Sequence, residues 1–530
     1  MSREFAGTGA LVRLALRRDR WLLPLWLGLF ALMASSSASA TKSLYPTQAS
    51  RTAAANVINA TAALVALYGR IYDPTSLGAI ALIKLTAFGA SLIAVLMVFV
   101  VIRHTRAEEE TGRLELVAAG VVGRAAPLAA ALIVAHGASA ALGLFTAIAL
   151  RAVGLPLDGS LAFGLSWALT GISFASIAAV TAQLTTGSRA ARGLALSSVG
   201  LAYALRAVGD LAERGPGWAS WLSPIGWSQQ IRPFAGDRWW IAGLPVALAA
   251  VLTPVAFVLR SHRDLGSGLM ADRPGPSRGT LGDALGLAWR LQRGMLAAWL
   301  VGCIAMAIVL GAVAHNVVGL LTSPQIRRFM AALGGARGLI DGFLSAEVGI
   351  FGTIVASYGV AACARLRSEE VAGHVELLSS TATTRARVAA SHFGVTLSGI
   401  AVLLVCTGAA IGVGHGLATG DLRQVGRLVG AAVAQIPAAW VIASGVLVLF
   451  GWTPRAVPSA WGILVVFIVL GEFGVLWRLP KWLMDASPFA HSPRLPGGAL
   501  HVRSIVGLLA VSAGLAAAGF VGWRRRDVIG

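Results

Sequence analysis

The sequence predicts an all-α polytopic membrane protein with about twelve transmembrane helices. Of its 530 residues, 56% are apolar and 12% are charged, whereas soluble chains are about a quarter charged. Glycine contributes 63 residues and is more frequent in membrane helices than in soluble ones. The apolar residues also gather in charge-free runs, and a run of about twenty is enough to cross a bilayer.

Nine runs are strong candidates for spans, and three weaker runs fill the gaps between them. The strong runs cover residues 21–41, 85–102, 125–150, 159–188, 239–259, 294–326, 388–420, 428–454 and 504–523. The weaker runs cover residues 193–209, 348–364 and 456–471. The first span resembles a cleavable signal peptide. A copy of its arginine and tryptophan pattern recurs 273 positions later, however, so we expect the first helix to be retained.

Repeated landmarks predict a tandem duplication. The segment 106–116 aligns with 367–377 at an offset of 261. Later pairs keep nearly the same offset, namely Gly209-Asp210 with Gly471-Glu472, Ser223-Pro224 with Ser487-Pro488, and Arg263-Asp264 with Arg526-Asp527. We predict two six-helix halves, 1–266 and 287–530, joined by a cytoplasmic linker at 267–286. Six spans return each half to its starting side, which makes the halves parallel repeats.

The distribution of arginine predicts the orientation. Each predicted span moves the chain to the other side of the membrane, so counting spans assigns every connecting segment to one side. The segments on one side hold 25 of the 43 basic residues, and the positive-inside rule assigns that side to the cytoplasm. We therefore expect a multi-pass protein of the cell membrane with both termini cytoplasmic. The net charge of +20 then follows from topology, and nucleic acid is not expected as a partner.

No catalytic motif is recognisable, so we do not expect an enzyme. None of the three lysines ends a GxxxxGK[ST] phosphate loop, and no HExxH or GxSxG motif occurs. The three cysteines lie in apolar runs. We expect no cofactor and no metal on this chain.

The most informative element is the cytoplasmic loop after the second span of each half. Its candidate residues in the first half are Glu108, Glu109, Gly112, Leu114, Glu115 and Arg124. Their duplicates are Glu369, Glu370, Gly373, Val375, Glu376 and Arg385. A helical loop would pair Glu109 with Arg113, four residues later. A single loop of this kind is typical of a solvated amphipathic turn, whereas its duplication favours two docking points for a partner.

The pattern Glu-x-x-Gly-x-Leu-Glu-Leu, followed by a short apolar stretch and Arg, resembles the first cytoplasmic segment of ABC-2 type ABC transporter permeases. Val375 replaces the leucine in the second copy, and Arg113 and His374 replace the small residue that follows glycine in the family. The segment WLSPIGW at 221–227 is similar to the outer Ser-Pro segment of these permeases. The duplicated length resembles actinobacterial multidrug permeases described as exporters of polyketide antibiotics.

The resemblance implies a coupling helix between the second and third spans, on which a separate ATP-binding subunit docks. Two fused halves imply that one chain binds two copies of that subunit. ATP and Mg would be bound by the partner. The cargo would be hydrophobic or amphipathic compounds such as drugs or antibiotics, moved out of the cell.

Charged residues inside the membrane mark a second candidate site. Asp210 and its duplicate Glu472 lie near the outer end of the fifth span, with Arg206 one turn before Asp210. A charge at the bilayer centre costs about 2.5 to 3.5 kcal/mol, so such groups face a cavity or a partner. They are candidates for a gate on the substrate pathway. Alternatively, Arg206 pairs with Asp210, and Glu472 pairs with Arg478 or water.

Other functions stay open at this point. The cargo of an ATP-driven exporter is equally consistent with a lipid or a glycan. An ion-coupled secondary transporter also has twelve spans in two parallel repeats, but its basic GxxxDRxGRR-like loop is replaced here by an acidic one. A membrane enzyme acting on lipid-linked substrates would require a cluster of His, Asp or Lys, which the sequence lacks.

Overall fold

A computed structural model of the protein describes residues 3–60, 62–211, 217–270, 282–314, 335–473 and 480–526. Within these ranges the regular secondary structure is helical throughout. The protein is therefore an all-α polytopic membrane protein. The chain divides into two compact units, Met1–Gly275 and Pro276–Gly530, and each unit is described by itself.

The first unit begins with a short helix and then combines long and short helices. Its described α-helices are α1 (Thr8–Arg18), α2 (Leu22–Leu44), α3 (Gln48–Ala60), α4 (Ala62–Tyr68), α5 (Leu77–Arg103), α6 (Arg106–Glu110), α7 (Arg113–Ala118), α8 (Ala126–Ala152), α9 (Leu157–Leu184), α10 (Ser188–Asp210), α11 (Trp218–Trp221), α12 (Pro224–Gln230) and α13 (Gly243–Ser261).

The second unit follows a similar order, with fewer short helices in its described part. Its described α-helices are α14 (Ala284–Ala314), α15 (Gly335–Val371), α16 (His374–Ser379), α17 (Arg385–Thr419), α18 (Gln424–Val433), α19 (Ile436–Trp452), α20 (Ser459–Phe473), α21 (Lys481–Met484) and α22 (Val502–Arg525).

Among the described residues, ten helical stretches are long and apolar enough to cross a membrane. They are Leu22–Leu44, Leu77–Glu110, Ala126–Ala152, Leu157–Leu184, Trp239–Ser261, Ala284–Ala312, Ile340–Val371, Arg385–Thr419, Gln424–Trp452 and Val502–Arg525. The two other predicted spans correspond to α10 and α20. Helix α10 is long enough but carries three arginines and an aspartate, and the apolar part of α20 is shorter, at Ser459–Ile468.

Small residues let the helices of each unit approach closely, as is usual in membrane proteins. In the first unit, a Cβ atom added to Gly143 of α8 would lie 2.4 Å from the carbonyl oxygen of Gly164 on α9. In the second unit, a Cβ on Gly451 of α19 would lie 2.3 Å from the carbonyl oxygen of Gly519 on α22. Any larger residue would push these helix pairs apart.

Candidate functional site

The duplicated loops fold alike around one glycine. In the first unit, α6 ends at Glu110 and α7 begins at Arg113, with Gly112 between them at φ 71°. In the second unit, α15 ends at Val371 and α16 begins at His374, after Gly373 at φ 73°. Residues with a Cβ atom rarely adopt this left-handed backbone conformation, so both turns favour glycine. The reason is the backbone and not crowding, because a Cβ atom at either glycine would have no neighbour within 4 Å. We call residues 106–124 and 367–385 the first and second coupling loops.

Glu109 of the first coupling loop is held between two arginines. Its Oε2 lies 2.5 Å from Nη1 of Arg106, in the same loop. Its Oε1 accepts a hydrogen bond of 2.6 Å from Nη2 of Arg263, which follows α13. The glutamate and Arg263 side chains are only 4% and 2% exposed. This buried clamp fixes the loop to the end of the last helix of its unit.

Glu370 forms the equivalent clamp in the second unit. Its Oε2 accepts a hydrogen bond of 2.7 Å from Arg367, and its Oε1 accepts one of 2.6 Å from Arg526, which follows α22. The glutamate side chain is fully buried. Two independent copies of one arrangement indicate that fixing the loop to the last helix is a property of both units.

The clamp corrects one expectation from the sequence. Glu109 does not pair with Arg113, which lies 3.9 Å from Glu108 instead. The turn at Gly112 separates α6 from α7, so Glu109 and Arg113 do not share one continuous helix. Sequence reasoning also missed Arg263 and Arg526 as site residues, although their repetition at the end of each half was the signal that marks them.

The neighbouring glutamates differ between the two loops. Glu108 bonds the guanidinium of Arg18, at the end of α1. Glu369, its duplicate, accepts hydrogen bonds of 2.7 Å from Arg365 and from His374. The first loop is therefore joined to the N-terminal helix by an ion pair. In the second loop, the equivalent glutamate pairs with residues four and five positions away in the sequence.

Asp19, between α1 and α2, strengthens the attachment in the first unit. Its fully buried carboxylate lies 2.5 Å from Nε2 of His104 and 3.0 Å from Nη1 of Arg103. Burial alone would raise the pKa of Asp19, but the hydrogen bond from His104 and the nearby positive charges of His104, Arg103 and Arg18 outweigh it and lower the pKa. At the 273-residue offset, Asp19 corresponds to Gln292, whose amide nitrogen lies 3.3 Å from Nδ1 of His392.

Each loop also presents a glutamate and a leucine to solvent. Glu115 is exposed and Leu116 is 80% exposed, and in the second loop Glu376 is exposed and Leu377 is 70% exposed. The residues just before them, Leu114 and Val375, are buried and anchor the short helices. Of the predicted docking acids, Glu115 and Glu376 are thus the two that are free to meet a partner.

The arginines that end the loops contact the last helices through the backbone. Arg124 donates a hydrogen bond of 2.6 Å to the carbonyl oxygen of Arg263, and its side chain lies 4.0 Å from Asp264. In the second unit, the carbonyl oxygen of Arg385 accepts a hydrogen bond of 3.1 Å from the indole of Trp523. The side chain of Arg385 is exposed. Both ends of each loop are thereby fixed to one helix.

The intramembrane acid of the first unit is paired, as the alternative interpretation expected. Arg206 lies 3.3 Å from Asp210, and both side chains are buried. Arg206 also donates a hydrogen bond of 2.7 Å to the carbonyl oxygen of Ala66, and Ser220 donates one of 3.1 Å to Asp210. The pair therefore joins α10 to the outer segments around it. The side chain of Glu472 lies outside the described residues.

Comparison with known proteins decides the family. A family model for the C-terminal domain of the multidrug efflux system permease Rv1217c matches residues 281–524. The multidrug efflux system permease protein Rv1217c of Mycobacterium tuberculosis (strain ATCC 25618 / H37Rv) is 43% identical over 531 aligned positions, covering 99% of this chain and 96% of the relative. The chain belongs to this family of multidrug efflux permeases. A permease is a multi-pass component of a transporter rather than an enzyme.

Proposed function

We propose that this permease is the membrane subunit of an ABC-2 type ATP-driven exporter that moves hydrophobic or amphipathic compounds, such as drugs and polyketide antibiotics, out of the cell. The name of its relative supports drug efflux. The sequence has no phosphate-binding loop, which supports a motor on a separate chain. ATP and Mg would be bound by that partner, and this chain would supply the pathway.

The observation that carries the proposal is the pair of clamped coupling loops. A surface that transmits force requires a rigid attachment behind it, and the buried Glu109 and Glu370 clamps provide one in each unit. It also requires groups that reach the partner, and Glu115-Leu116 and Glu376-Leu377 are exposed beside the clamps. We infer two ATP-binding subunits per chain, one on each loop.

The proposed orientation puts both coupling loops and both termini in the cytoplasm, where ATP is available. Arginine is concentrated on this side, which the positive-inside rule assigns to the cytoplasm. The outer face would then carry the tryptophan-rich segment around α11 and α12, where Trp218 is 75% exposed. Tryptophan at this depth suits the headgroup layer of the membrane.

Affinity purification from native membranes tests the docking. Wild-type chain is expected to retain a phosphate-loop ATPase, identified by mass spectrometry. The variant with Leu116→Asp and Leu377→Asp is expected to lose it, because exposed apolar contacts at an interface are replaced by charge. Arg503→Glu, an exposed change at the opposite end of α22, is the matched control and should retain the ATPase. Equal retention by the aspartate variant contradicts docking at these loops.

Transport in inside-out vesicles separates the two energy sources. ATP hydrolysis should drive accumulation of a fluorescent hydrophobic dye, and a proton gradient without ATP should not. Accumulation driven by the gradient alone would instead support an ion-coupled secondary transporter. Replacing the dye with a labelled lipid in the same assay distinguishes a drug exporter from a lipid exporter.

A further inference from the structure

An apolar groove of about 440 Å³ in the first unit ends at two arginines. Its walls include Trp26 of α2 and Leu92 and Phe99 of α5, and its mouth is formed by Arg103 and Arg192. The three wall residues are between 37% and 43% exposed although all are large and apolar. On a membrane-spanning helix such as α5, exposed apolar side chains of this kind contact lipid acyl chains, so the groove is open to the bilayer.

The length of the groove matches one leaflet of a membrane. Leu92 and Arg103 are separated by eleven positions on α5, which at 1.5 Å per residue corresponds to about 16 Å. Half of a hydrocarbon core of roughly 30 Å is about 15 Å. An acyl chain lying along α5 would therefore reach from the arginines to the middle of the bilayer.

The mouth of the groove carries positive charge that is not fully neutralised. Arg192 donates hydrogen bonds to the carbonyl and hydroxyl oxygens of Ser188, in its own helix. It forms no ion pair with any residue that the structure describes. Arg103 shares the carboxylate of Asp19 with His104, and 36% of its side chain stays exposed. The hydroxyl of Ser188 also bonds the carboxylate of Glu110.

We propose that this groove binds an anionic phospholipid, with one acyl chain along α5 and its phosphate between Arg103 and Arg192. Guanidinium groups match phosphate oxygens in geometry and charge. Basic pockets between membrane helices on the cytoplasmic side recognise anionic head groups. The site rests on charge and shape alone and does not require a docked ATPase.

The second unit differs at two of the corresponding positions. At the 261-residue offset, Arg103 corresponds to Ala364, which removes one cation. Trp299, the duplicate of Trp26, packs edge to face on Tyr358 with ring centroids 6.1 Å apart. We therefore assign the proposed lipid site to the first unit.

Native mass spectrometry of the full chain tests the proposal. The chain is purified without nucleotide or partner and equilibrated with phosphatidylglycerol or phosphatidylcholine. Wild type should retain phosphatidylglycerol in preference to phosphatidylcholine. Arg192→Gln should lower that retention about fivefold, since one arginine near anionic lipid contributes about 1 kcal/mol. Arg189→Gln is the matched control because Arg189 lies on the same helix, is exposed and does not line the groove.

A second variant separates the apolar wall from the charged mouth. Trp26→Ala should lower the retention of both lipids by the same factor and leave the preference for phosphatidylglycerol intact, because it removes chain contacts only. Equal retention of the two lipids by wild type would overturn the proposal. Retention that is unchanged in Arg192→Gln, or that falls as much in Arg189→Gln, would also overturn it.

Discussion

The first coupling loop forms an ion pair with the N-terminal helix of its unit, whereas the equivalent acid of the second loop pairs elsewhere. Both loops place a buried glutamate, Glu109 or Glu370, between an arginine of the loop and an arginine that follows the last helix of the unit. The first loop has a further link, because Glu108 bonds Arg18 of the N-terminal helix. The equivalent Glu369 bonds Arg365 and His374 instead.

This difference indicates what the duplication preserved and what it changed. The link to the last helix is present in both units, as the proposed docking of a partner on each loop requires. Among the described residues, the link to the N-terminal helix is found in the first unit, where charged Asp19 stands in place of the neutral Gln292 of the second. Under the proposed docking, force on the first loop would reach α1 as well as the end of α13, whereas force on the second loop would reach the end of α22.

The largest expected effect comes from breaking the shared clamp. Glu109→Ala and Glu370→Ala should each lower the free energy of unfolding by about 3 kcal/mol, because each leaves two arginines without their carboxylate. The two arginines are buried in the first unit and partly buried in the second. The cost is at the lower end for buried pairs, since Arg367 keeps 26% of its side chain exposed. SDS-induced unfolding measures it, with Glu115→Ala and Glu376→Ala as exposed controls. A much larger loss in one unit than in the other would break the equivalence of the two clamps.

Asp19→Asn should weaken only the first unit, by about 2 kcal/mol at neutral pH, because hydrogen bonds to a charged group are lost. The folded pKa of Asp19 lies below its usual value. Its stabilising contribution is therefore present above the unfolded pKa of about 3.9 and disappears as the pH falls through the folded pKa. The unfolding temperatures of wild type and variant should become equal at acid pH. A difference that persists below the folded pKa would show that the charge is not responsible.

Gly112→Ala and Gly373→Ala should each cost about 1 kcal/mol, since the left-handed backbone is strained for any residue with a Cβ. The asparagine variants should cost less, because asparagine tolerates this conformation. Parallel measurements of the four variants sharpen the comparison, because the two turns have φ values of 71° and 73°. If alanine is tolerated as well as glycine at either position, that turn is not under the constraint described here.

The smallest effect concerns the link that only the first unit has. Arg18→Ala should cost less than about 1 kcal/mol, because the pair is partly exposed to solvent. Its signature is faster amide hydrogen exchange in α1, with α14 unchanged. Arg365→Ala is the matched variant in the second unit and should leave exchange in α14 unchanged too. Faster exchange in α14 after Arg365→Ala would remove the asymmetry.

Hydropathy predicted the long helices because a single apolar run in a membrane can hydrogen-bond its own backbone N–H and C=O groups only as a helix. It was less informative for α10, where three arginines and an aspartate interrupt the apolar run. The repeat marked the two loops as candidate sites, but the sequence predicted a helical loop rather than the turns at Gly112 and Gly373. It could not predict the clamps, because Glu109 and Arg263 are 154 residues apart and meet only when α13 packs beside the loop.

The mass of the complex purified from native membranes tests the central claim most directly. The account predicts two ATP-binding subunits for each permease chain. Leu116→Asp alone and Leu377→Asp alone should each leave one subunit bound, because each exposed leucine belongs to a different coupling loop. A complex without an ATPase, or one whose stoichiometry is unchanged by both substitutions, would contradict the claim that the two clamped loops are the docking points.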